Sequence, residues 1–101
     1  MDFYVVADED TVVGFRYAGV PGTIVRDAAA TEKELNRLAE EQAQLIVITT
    51  ERIANAARDT INRVRAEENF PLIVEIPGPE GPSEDSPSLI SMIREAVGIG
   101  L

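Results

Sequence analysis

The chain has 101 residues and a formal net charge of −9. That length suits one domain, and that charge repels phosphate backbones and anionic lipid headgroups. There is no cysteine and no histidine, which excludes disulfides, thiol nucleophiles, thiolate zinc sites and an imidazole general base.

Short apolar runs alternate with amphipathic stretches along the chain. The opening residues Met1 and Asp2 carry an acid where a secretory signal would carry positive charge, so a cytosolic location is expected. Phe3–Ala7 is aromatic and β-branched, a strand pattern. Asp8, Glu9 and Asp10 follow, placed where a helix start favours negative charge. Thr11 to about Ala18 reads as a short helix that Gly19 ends and Pro21 keeps from continuing. Thr23–Arg26 is a second, short strand. Thr31 and Glu34 have the spacing of a capping box, which predicts a helix from Thr31 to about Gln42 with Leu35, Leu38 and Ala39 inward.

Leu45–Thr49 is apolar on both faces, as a central parallel strand covered by helices on each side would be. A single long helix is predicted from Glu51 to Glu67, with Ile53, Ala57, Ile61 and Val64 at helical spacing. Pro71–Ile76 is the fourth strand, with Pro71 tolerated at its first position. No apolar run is long enough to span a bilayer. Residues 77–88 hold four prolines and two glycines and read as a loop. Ser86-Pro87 is a good helix opening, and Leu89, Met92, Ile93, Ala96 and Val97 form one apolar face before Gly98.

Strands that alternate with helices require crossover connections, which make a parallel sheet with helices on both faces. The expected fold is therefore α/β: a small, doubly wound, four-stranded parallel sheet of order 2-1-3-4, similar to Rossmann and receiver folds. The expected organisation is an α/β domain over 1–76, a Pro/Gly-rich loop over 77–88, and a C-terminal helix and tail over 89–101.

Ligands of such sheets sit beyond the carboxyl ends of the strands. The first turn there, Ala7 to Thr11, has no glycine to wrap a pyrophosphate, and three carboxylates would repel one. No Walker A pattern occurs, and Lys33 is the sole lysine. Asp8, Glu9 and Asp10 suggest the acidic cluster of a phospho-receiver. The positions that should carry the acceptor aspartate hold Thr49 and Thr50, and no lysine follows a later strand. The plain role of the acids is to complement a helix start. Thr49 and Thr50 have no activating base, and capping the next helix is their plain role. Glu80, Glu84 and Asp85 match no calcium-loop spacing and serve to solvate an exposed loop. No cofactor or metal is expected, and no catalytic residue. A degenerate receiver-like binding module remains the alternative reading.

Two segments instead read as contact surface. Gly14 lies within a short helix, where glycine costs about 1 kcal/mol relative to alanine. It is followed by Phe15, Arg16 and Tyr17, residue types enriched at interfaces. The helix of residues 89–97 must bury Leu89, Ile93 and Val97 against the sheet or a partner.

The stretch from Asp8 to Val20, with Thr11-Val12-Val13-Gly14-Phe15-Arg16-Tyr17-Ala18-Gly19, resembles the opening of V/A-type ATPase F subunits. Ile48–Ala54, Leu72–Pro82 and Ile93–Ile99 are similar to that family's central strand, its fourth strand and loop, and its closing helix. The four motifs stand in order over essentially the whole chain. The family often carries basic residues where this chain has Pro79 and Gly100, which bears on electrostatic contacts. The resemblance implies a non-catalytic rotor component of the central stalk, without cofactor and without nucleic-acid or membrane insertion. It would bind the D subunit, the coiled-coil shaft of the stalk, and reach the catalytic A/B subunits through its C-terminal helix. Gly14, Phe15 and Arg16, with Ile93, Arg94 and Val97, are the partner-contact residues expected on this reading.

Overall fold

The computed structural model describes residues 1–78. It contains four strands and four helices in the order β1 (Asp2–Ala7), α1 (Glu9–Tyr17), β2 (Gly22–Ile24), α2 (Ala28–Glu40), β3 (Leu45–Thr50), α3 (Glu51–Ala56), α4 (Arg58–Glu67) and β4 (Leu72–Ile76). All strands pair in parallel, in the order β2-β1-β3-β4. The first crossover steps to one side of β1 and the later ones to the other, so right-handed connections place α1 on one face and the remaining helices on the opposite one.

The period-2 alternation of the strands divides the core accordingly. Val6, Val47 and Ile73 face α2 and α4, where Leu35, Leu38, Ile61 and Val64 complete a buried cluster. Val5, Ala7 and Ile48 face α1 and pack with Val12, with Phe15 and Ile24 at the margin. The registers Val5↔Ile48 and Ile48↔Val74 align the rows across the sheet.

Polar ties fix the helices over these rows. The Tyr4 hydroxyl donates to Thr23, whose own hydroxyl donates to the Glu34 carboxylate on α2. The Arg37 guanidinium also bonds Glu34 and, with help from Thr23, holds its carboxyl below the ordinary carboxylate value against the opposing effect of burial. On the other side of the same face, Arg58 donates two hydrogen bonds to Glu75 at 2.7 and 2.8 Å. Arg65 adds an ion pair to Glu75 at 3.2 Å and a hydrogen bond to the Ile73 carbonyl at 2.9 Å. These contacts bind α4 to the edge strand β4.

Element boundaries depart from the sequence reading in four places. The first helix begins at Glu9, ahead of Thr11, because Asp8 caps it by accepting from the Thr11 N–H. The second strand is Gly22–Ile24 and not Thr23–Arg26. The Thr31–Glu34 capping box does not form. Asp27 caps α2 from one turn earlier, accepting from the Ala30 N–H at 2.7 Å, and the helix starts through the strong helix formers Ala28–Ala30. Thr31 is then inside the helix, donating back to the Asp27 carbonyl, and Glu34 is engaged by Thr23 and Arg37.

The predicted helix from Glu51 to Glu67 is broken at Ala57, whose φ of −122° and ψ of 31° leave the helical region. Ile53, ahead of the break, packs against both core clusters. No proline or glycine marks the site in the sequence. The Pro/Gly-rich loop from Pro79 onward and the C-terminal helix lie outside the described residues.

Candidate functional site

The carboxyl edge of the sheet is where chemistry would be expected, and an open cleft of about 600 Å³ lies there, lined by Asp8, Asp10, Arg26, Asp27, Thr50 and Arg52 among others. The N-termini of α1, α2 and α3 meet at this edge. In a nucleotide-binding sheet their free N–H groups would hold a phosphate. Here each terminus is capped from within. Asp8 accepts from Thr11, Asp27 from Ala30, and the Thr50 hydroxyl from Ile53 at 3.2 Å. The chain's own oxygens occupy donors that a ligand anion would need, and two of the three caps are carboxylates that repel it.

The acidic triplet is thus divided between structural tasks. Asp8 also accepts from the Thr11 hydroxyl at 2.8 Å. Glu9 approaches Arg26 at 3.8 Å with both side chains well exposed, a weak pair in water. Among the described residues, no group of three or more acids is arranged to hold a metal ion. A receiver-type site would need an acceptor aspartate at the end of β3; Thr50 there caps a helix, and Thr49 is buried. The Thr49 hydroxyl has no hydrogen-bond partner among the described residues. Capping, expected of both threonines, is performed by Thr50 alone.

The proposed contact residues on α1 separate by face. Phe15 packs against the cluster around Val5 and Val12 and is half-buried. Gly14 and Arg16 are exposed. A Cβ built on Gly14 would meet nothing within 4 Å, so internal packing does not require glycine there. Tyr17 is 90% exposed, the most exposed large hydrophobic residue described. An exposed glycine and an exposed aromatic one turn apart leave a patch of α1 where another surface can come close to the backbone. Ile93, Arg94 and Val97 lie outside the described residues, as do Glu80, Glu84 and Asp85.

A second open surface was not singled out in the sequence. Phe3, Leu72 and Val74, all on the α1 side of the sheet, are 50%, 48% and 42% exposed. The signal for it is topological. Among the described residues, one helix, between the first two strands, falls on that face by the right-handed crossover rule, and none of the others covers the distant strand. No helix among the described residues is long and apolar enough to cross a membrane.

Residues 3–93 match the family model of the ATP synthase (F/14-kDa) subunit. The chain is 34% identical over 97 residues to the F subunit of the A-type ATP synthase of Methanothermobacter thermautotrophicus, covering 94% of this chain and 91% of that protein. It is 33% identical over 98 residues to the corresponding F subunit of Methanocaldococcus jannaschii, with 96% and 95% coverage. Against the F subunit of Methanococcus maripaludis it is 36% identical over 100 residues, with 96% and 95% coverage.

Proposed function

Because the chain belongs to the ATP synthase F-subunit family, we propose that it is a non-catalytic central-stalk component of a V/A-type rotary ATPase. It binds the coiled coil of the D subunit, the shaft of the stalk, and turns with it, while hydrolysis and synthesis of ATP stay with the A/B head. The complex places it on the cytoplasmic side, peripheral to the membrane. The observation that carries this reading is the self-capped carboxyl edge, where Asp8, Asp27 and Thr50 each engage one N–H of a helix terminus. A domain with the topology of a ligand-binding sheet, whose helix starts are capped by its own side chains and flanked by carboxylates, is read here as acting through its surfaces.

On the shaft side we place the α1 patch. Gly14 allows close approach, Arg16 supplies directed hydrogen bonds, and Phe15 supports the helix from beneath. The C-terminal segment with Ile93, Arg94 and Val97 is assigned to contacts with the A/B subunits. The family match over residues 3–93 favours this reading over a degenerate receiver-like binding module, which the fold alone would also fit.

Co-expression with the shaft polypeptide tests the proposal. The two proteins are expected to elute together at one-to-one stoichiometry in size-exclusion chromatography, and this chain alone to hydrolyse no ATP. Separate elution, or turnover by the purified chain, refutes it.

A further inference from the structure

Strand β4 ends the sheet on the side away from β2, and among the described residues no strand pairs beyond it. Along such an edge, one residue bonds the neighbouring strand and the next turns its N–H and C=O outward. The Ile73 carbonyl accepts from the Arg65 guanidinium at 2.9 Å. A guanidinium reaching over from α4 does not enter between hydrogen-bonded strands, so Ile73 is an outward residue, and Glu75 shares its parity. Pro71 and Pro77 share it too, and each lacks the N–H that an outward position would offer. The outward donors of this edge are therefore the N–H groups of Ile73 and Glu75.

A ladder this short fits one symmetric partner well. A second copy of β4, running antiparallel and centred on Val74, sets Ile73 of each copy opposite Glu75 of the other. Each of these pairs can exchange two hydrogen bonds. Centring on Ile73 instead would set Glu75 against Pro71, which has no donor. Centring on Glu75 would set two carboxylates face to face. In the Val74 register, Leu72 lies against Ile76 across the seam and Val74 against Val74. The half-exposed apolar positions Leu72 and Val74 then continue from one copy into the other.

Arg65 stands in that seam. It donates to the Ile73 carbonyl, the acceptor that an incoming Glu75 N–H needs, and its second nitrogen pairs with the Glu75 carboxylate at 3.2 Å. Arg58 holds the same carboxylate through two hydrogen bonds, so Glu75 does not depend on Arg65 for a partner. The contact that only Arg65 makes is the one to the outward carbonyl.

We propose that Arg65 guards the β4 edge: by occupying the Ile73 carbonyl it keeps β4 from pairing antiparallel with β4 of a second copy, and its removal opens a homodimer interface centred on Val74. A seam of one short strand belongs to the weak class of association, where a single competing hydrogen bond shifts the balance. The net charge of −9 on each copy opposes their approach. At physiological ionic strength that repulsion is screened beyond about 8 Å. The inference rests on the geometry of the edge and is independent of the rotor assignment.

The chain has no cysteine, so single engineered cysteines report the register without background. Residues paired across the two-fold axis at position 74 would have Cα atoms about 4.5 Å apart, within disulfide range, whereas the two copies of residue 72 would be about 13 Å apart. In the full chain, V74C with R65A is expected to form an interchain disulfide at least tenfold faster than V74C alone. It is also expected to be at least tenfold faster than L72C with R65A, a position of similar exposure. A smaller ratio in either comparison overturns the proposal. In sedimentation between micromolar and millimolar chain, R65A is expected to dimerise where the unsubstituted chain stays monomeric. Adding V74K, which opposes two like charges across the seam, is expected to restore the monomer. R65M, which keeps the aliphatic stem and removes the donors, is read beside R65A, so that a folding defect peculiar to alanine does not decide the outcome. Monomeric R65A and R65M, or a dimer that survives V74K, refutes the guard.

Discussion

Replacing Gly14 by alanine sets local stability against contact. Gly14 lies inside α1, and a Cβ added there meets nothing within 4 Å. The substitution therefore adds helix propensity without steric cost, a gain of about 1 kcal/mol. For a domain of this size that corresponds to a rise in Tm of roughly 4–8 °C. Gly22→Ala is the matched opposite. Its Cβ would lie 2.5 Å from the Val5 carbonyl oxygen and 3.0 Å from the Val5 Cβ, so β2 would have to withdraw from β1. Overpacking of that kind costs about 1–3 kcal/mol. The same methyl group is thus expected to raise Tm at one glycine and lower it at the other, as read by circular dichroism melts of the isolated chain. A fall in Tm for Gly14→Ala would refute the account of α1 as a helix open on that side. Binding provides the second half of the test. If Gly14 is glycine so that the shaft can approach, the more stable Gly14→Ala chain should bind the shaft coiled coil more weakly than the unsubstituted one. Unchanged affinity, measured by titration calorimetry, removes Gly14 from the interface.

Asp27→Ala removes the cap on the Ala30 N–H and is expected to cost about 1 kcal/mol in urea unfolding. Thr31→Ala, at the position that the sequence pattern marks as the cap, should cost clearly less than a lost cap through that position. Thr49→Val replaces a buried hydroxyl that has no partner among the described residues by a methyl group, and is expected to stabilise by about 1 kcal/mol. A measured loss would mean that the hydroxyl is engaged. Arg58, opposed in part by burial, holds the Glu75 carboxyl below its ordinary value of 4.5. A carboxyl lowered by folding contributes stability that is fully present above the unfolded value and is lost as pH falls through the folded value. Glu75→Gln should therefore be less stable than the unsubstituted chain at pH 7, and the gap should close as pH falls below 4.5. A gap that persists undiminished in acid would refute the ion pair as its source.

The sheet was legible in the sequence because its signals are local and strong. Leu45–Thr49 is apolar on both faces, and strands alternate with amphipathic stretches, so crossover rules leave few topologies. The residue types at the carboxyl edge were legible too: a first turn without glycine, no histidine, no cysteine and one lysine are facts of composition. Other features depended on which of several competent groups is placed first. Asp27 and Thr31 both qualify as helix caps, and three alanines between them let the earlier one prevail. Ala57 is among the strongest helix formers, yet the helix breaks there, and no local residue signal marks the place. The exposure of Phe3, Leu72 and Val74 is of the same kind. Their alternation reads as that of any strand residue. Whether a helix lies above them depends on how many crossovers pass on each side of the sheet, a property of the whole chain path and of no residue within it.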